Sequence, residues 1–216
     1  MPSFKDNSKP TIGNMLEELC TNNDYIFIGD VHTNNNSYEF LARPEVMQTM
    51  AKCGVTVIDT ERLMPEVVHV IDMYNDNKIT SDTMKFFVTD MYGTINHENP
   101  DLERALELEV SIIEQAKELG ISIRSSNHMF PDLSEKEFAI QSAYEIPLLE
   151  HLALMVNDIP NFSKLSDQEQ ILRIGRTKRE FRKENPELYN AKLQIEEVTD
   201  SSTKEIAKFP KLLRKR

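Results

Sequence analysis

Two apolar, β-rich runs frame a helical stretch near the start of this chain, and that arrangement restricts its fold more than any other feature. Tyr25-Ile26-Phe27-Ile28-Gly29 reads as a strand buried on both faces, and Val55-Thr56-Val57-Ile58-Asp59 is a second, β-branched run. Between them a helix is expected from about Ser37, with Pro44 opening its second part and Gly54 supplying a left-handed cap. Strand, helix and strand in so short a span make a βαβ unit with parallel strands. The fold class expected is therefore α/β: a small, mainly parallel sheet flanked by helices, with a helical C-terminal extension.

The rest of the chain is mostly helical in pattern. Thr11 to Cys20 spaces Ile12, Met15, Leu16 and Leu19 on one side. Helices are expected over Pro65 to Asp76, Ser81 to Tyr92 and Pro100 to Leu119, the last with Asn99 as N-cap and Gly120 after its end. Ile121 to Ser125 is a third strand candidate. Capping boxes at Ser134-Glu137 and Ser166-Glu169 open helices running to about Val156 and Lys183, and Pro186 to Glu197 suits one more. The domain organisation expected is an α/β domain over residues 10–160, a basic helical extension over 161–203 and a basic amphipathic tail over 204–216.

Charge separates these parts. Residues 1–163 hold 11 basic against 27 acidic side chains, net -16, whereas residues 164–216 hold 14 against 9, net +5. The overall charge of -11 argues against nucleic acid as a partner. Six of the last 13 residues are basic, with Ile206, Phe209, Leu212 and Leu213 among them, so the tail suits an anionic membrane surface or a protein partner. No apolar run approaches the ~18 residues of a membrane span, and the first residues lack a secretory signal pattern. A cytoplasmic protein is expected, or one exported without a recognisable signal, with peripheral membrane association open to it. Cys20 and Cys53 form no C-x-x-C, so each reads as a small core residue.

Each expected strand delivers ligand-capable side chains at its carboxyl end: Asp30 and His32, then Asp59 and Glu61, then Asn127 and His128. In a parallel sheet that edge is where loops converge over a crevice. Imidazoles and carboxylates there suit a hard or borderline divalent metal ion with room for water. Capping of helices and loop amides accounts for the same residues without any ligand.

Gly29-Asp30-Val31-His32 after a strand, with Glu61 ending the next, resembles the Tiki superfamily of Tiki proteases, TraB proteins, erythromycin esterases and ChaN haem-binding proteins. The ChaN-like branch is most similar, through Val70 to Thr80 and through Ala116 to Ile123 followed by Asn127. The resemblance covers about residues 24–130. It implies that His32 and Glu61 occupy metal or catalytic positions and that Gly29 lets the chain turn close to a ligand. Asp30 and Asp59 are further metal candidates, with Asn127 and His128 beside them. The function implied is a metal-dependent hydrolase of an ester or amide, or a haem or iron-compound binder without turnover. Gly29 to His32 is the one G-x-x-H of the chain, so the second such motif of Tiki proteases has no counterpart. The order Asp30-x-His32, Asp59 near Arg62, and Asn127-His128 also resembles the calcineurin-like metallophosphoesterases, whose later G-H-x-H motif this chain does not contain.

Other residues fit packing first. His69 and His151 lie in helical patterns, and His97 precedes a capped helix. Tyr74, Phe86, Phe87 and Tyr92 recur at helical spacing as core, although a flat cofactor would use the same wall.

Overall fold

The structure, a computed structural model, describes residues 12–26, 28, 35–60, 63, 65–93, 100–125 and 135–194. They form an α/β arrangement in which a small parallel two-stranded sheet is flanked by helices. In chain order the elements are α1 (Ile12–Asn22), α2 (Asn36–Leu41), α3 (Pro44–Lys52), β1 (Val57–Thr60), α4 (Pro65–Asn75), α5 (Ser81–Gly93), α6 (Pro100–Leu119), β2 (Ser122–Ser125), α7 (Glu135–Asp158) and α8 (Asp167–Glu184). A 3-10 turn at Phe162–Lys164 precedes α8, and residues 186–194 are helical.

Helix ends follow from local chemistry. Proline opens α3, α4 and α6, where its missing N–H costs no helix hydrogen bond. Gly54 and Gly120 close α3 and α6 at φ 87° and 70°. At both ends the glycine N–H bonds three residues back, to Ala51 or Lys117, and the next N–H reaches Met50 or Ala116, five back. That double cap satisfies the last carbonyls and turns the chain directly into a strand. Asn77, at φ 59°, ends α4 in the same way. Ser166 and Glu169 bond each other's backbone N–H and so form the capping box expected of α8.

The first expected strand is corrected. Tyr25, Ile26 and Ile28 lie outside any strand, and Tyr25 is 81% exposed. An apolar run becomes a doubly buried strand only where other elements cover both its faces, and Tyr25 has no such cover. The strands that pair are β1 and β2, the second and third of those expected. Val55 and Thr56 precede β1 because the Val55 N–H completes the α3 cap.

The chain divides into two compact units, one of residues 1–60 and 85–124, the other of 61–84 and 125–216. In the first, α1 packs on α3, and α2 and α3 pack on α6. Its core includes Met47, Phe87, Val88, Ile113 and Ala116. The Gln115 amide donates to the Ala42 carbonyl at 2.9 Å, tying α6 to the end of α2.

In the second unit α7 packs on α4 and on α8 around Val67, Val70, Ile71, Leu152 and Phe181. Asn157 of α7 caps α5 from outside: its Oδ1 accepts from the Thr80 N–H at 2.9 Å and from the Thr83 hydroxyl at 3.3 Å. Asn157→Ala removes the acceptor that both groups share. It is expected to cost about 1–2 kcal/mol, a fall of a few degrees in Tm, whereas Asn157→Asp keeps the acceptor and most of the stability. Thermal melts of the two variants check this.

Candidate functional site

The sheet positions what can be seen of the strand-end constellation. The Ser122 N–H donates to the Thr56 carbonyl at 2.9 Å, which fixes the register of the parallel pair. Val57 then lies beside Ser122, Ile58 beside Ile123, and Asp59 beside Arg124. Burial follows that register, since Ile58 and Ile123 are buried while Val57, Asp59, Ser122 and Arg124 are exposed. Asp59 therefore stands on the solvent face of β1, in register with Arg124 of β2. One residue on, the Thr60 hydroxyl shares a 2.8 Å hydrogen bond with the Tyr38 hydroxyl of α2. That contact fixes the carboxyl end of β1 against a helix.

Asp59 is the one member of the expected constellation among the described residues. Gly29, Asp30, His32, Glu61, Asn127 and His128 lie outside them, as does His97. Among the described residues no three His, Cys, Asp or Glu side chains gather as a metal-binding group. His69 is half-buried on α4. His151, read from its leucine-rich surroundings as a core or groove residue, is exposed on α7, with its ring 5.9 Å from that of Phe181.

Two features escape the sequence. Cys20 and Cys53, read as separate core residues, are half-exposed neighbours. Burial pushes the Cys20 thiol up, and the adjacent Cys53 raises it further. Only long-range packing of α1 on α3 brings them together, so no local spacing reports it. The second feature is the outer face of α8, where large aliphatic side chains are exposed among basic ones.

No protein-family model matches this chain, and neither does any curated protein or solved structure. No helix among the described residues is long and apolar enough to cross a membrane.

Among the described carboxylates, Asp72 is held above its ordinary proton affinity, whereas Glu169 and Glu180 are held below theirs by Ser166 and Arg176. Partial shielding raises Asp72 on α4; His69 opposes the rise, Asp76 adds to it and Lys78 opposes it. A carboxyl whose folded pKa is raised stabilises the fold while protonated, and loses that contribution as pH climbs through the folded value. Asp72→Asn stays neutral throughout. It is expected to melt above the parent protein at pH 7, with the gap closing below the ordinary Asp pKa of about 3.9. A pH series of melting curves on both proteins checks the sign.

Proposed function

We propose that this chain is a Tiki-like protein, closest to the ChaN-like branch, whose crevice at the carboxyl edge of the sheet acts as a metal-dependent hydrolase on an ester or amide. The observation that carries the reading is the pairing of β1 with β2 as parallel neighbours. Both strands then finish at one edge. Glu61 follows β1 directly in sequence, and Asn127 and His128 follow β2 within three residues. Asp30 and His32 join the proposal through the sequence motif alone.

The donor set suits a hard or borderline divalent cation: one imidazole from His32 and carboxylates from Asp30 and Glu61. Asp59, on the solvent face of β1, is a further carboxylate donor of the set. A cation held there would supply a water of lowered pKa. His32 would serve as a nitrogen ligand, and Glu61 as a ligand or as the base for that water.

Hydrolysis of activated esters and anilides by the protein supplemented with zinc or manganese tests the proposal. Saturable turnover that falls at least about 100-fold in Glu61→Gln supports it. The competing reading is a haem carrier. No turnover, together with a shifted Soret band on haem addition that disappears in His32→Ala, would establish the carrier and remove the hydrolase.

A further inference from the structure

Helix α8 turns one face inward, through Thr177 and Phe181, and leaves the opposite face in solvent. That outer face is not a plain solvated surface. Ile171 is 69% exposed and Leu172 61%, the two highest values among the large aliphatic side chains described. Lys178, Arg179, Arg182 and Lys183 follow on the next turns, all exposed. At 3.6 residues per turn these six side chains fall within an arc of about 140°.

No carboxylate shares the arc. Glu169, Glu180 and Glu184 fall on one flank of the helix, where Arg176 pairs with Glu180 at 2.8 Å, and Asp167 borders the arc on the other side, about 20° beyond Lys178. Gly175 lies inside the arc, and a side chain added there would meet no atom within 4 Å. The face thus offers an apolar pair, an open centre and a cationic end. The Arg182 guanidinium also lies over the Tyr189 ring at 4.0 Å, placing an amphipathic aromatic beside the cations.

We propose that this outer face of α8 docks the protein onto an anionic lipid surface. Charge complementarity identifies the partner. The chain's own C-terminal tail, six basic residues to one acidic in its last 13, is repelled by this face and is not its occupant. Nucleic acid is disfavoured because single strands are held by stacking on aromatic platforms, and the arc itself carries none. Aliphatic side chains beside lysines and arginines are the composition of helices that lie in a membrane interface, the apolar groups entering the headgroup layer and the cations meeting its phosphates. Because α8's inner face is committed to packing, attachment is peripheral. It is also orientation-specific, since the acidic remainder of the chain is repelled by the same surface. The proposal is independent of the chemistry at the sheet edge.

Co-sedimentation of the full chain with phosphatidylcholine vesicles, with and without phosphatidylserine, tests it. Binding is expected only with phosphatidylserine and is expected to weaken as salt screens the charges. Arg179→Glu with Lys183→Glu should lower the affinity at least about tenfold, each cation near an anionic surface being worth about fivefold. Leu172→Asp should lower it comparably, and Gly175→Leu should raise it. Leu172, Arg179 and Lys183 are exposed, and a side chain at Gly175 has open space, so unchanged melting curves verify the fold. Substituting Lys204, Lys208 and Lys211 by Gln in the full chain separates the tail from α8. Remaining binding that still depends on Arg179 and Lys183 supports the proposal. It is overturned if the α8 variants bind like the parent, or if the parent ignores anionic vesicles, whatever RNA or acidic protein it retains instead.

Discussion

Replacing Phe87 by Ala is expected to destabilise the protein by about 3–5 kcal/mol, the cost of emptying a large aromatic site in a core. Phe87 is fully buried in the first unit, and its ring meets that of Phe86 edge-on, with centroids 5.5 Å apart and planes at 85°. The edge-on pair adds about 0.5–1.5 kcal/mol beyond area burial, so truncation removes both terms. For a chain of this size the Tm should fall by about 10 °C or more. Phe87→Leu keeps most of the volume and should recover much of that loss. Calorimetry on both variants is the check, and equal melting temperatures for Phe87→Ala and the parent would mean that this core is not packed as described.

The second large effect belongs to Phe181, whose ring anchors α8. It lies 5.7 Å from the Tyr144 ring at 71°, and Tyr144 in turn meets Tyr189 at 5.8 Å. Lys192 adds an ion pair to Glu145 and approaches the Tyr144 ring. Little else holds α8 inward, since Thr177 is the other residue buried on it. Phe181→Ala should therefore cost about 3 kcal/mol or more, and the loss should be local. Amide hydrogen exchange is expected to quicken throughout α8 while α6, in the other unit, keeps its protection. Uniform acceleration across both units would contradict an anchor confined to this helix.

How much of this architecture the sequence shows depends on the range of the interaction involved. Helix boundaries are legible because proline at the first position, glycine past the end and the Ser166–Glu169 box each act within one turn. Pro100, Gly120 and Gly54 accordingly stand where the pattern places them. Sheet membership is not local. Tyr25 to Gly29 has the composition of a central strand, but burial on two faces depends on distant elements, and Tyr25 is exposed. Val57 to Thr60 pairs with Ser122 to Ser125 across the whole length of α4, α5 and α6. The contact of Cys20 with Cys53 is hidden for the same reason. Ile171 and Leu172 read as two apolar residues in a charged helix, and only the docking of Phe181 on the opposite face reveals that they point to solvent.

For the candidate site, the sequence supplies the donor types and their order, and the sheet supplies a shared edge for the segments after β1 and β2. Asp59 alone of those donors is among the described residues, and it stands on the solvent face of β1. The proposal places the metal on His32, Asp30 and Glu61, with Asp59 as a further donor. Metal analysis of the purified protein beside His32→Ala and Glu61→Ala addresses it most directly. A stoichiometric divalent ion in the parent, lost from both variants while their melting curves show them folded, is the expected result. Equal metal content in all three proteins would contradict the account.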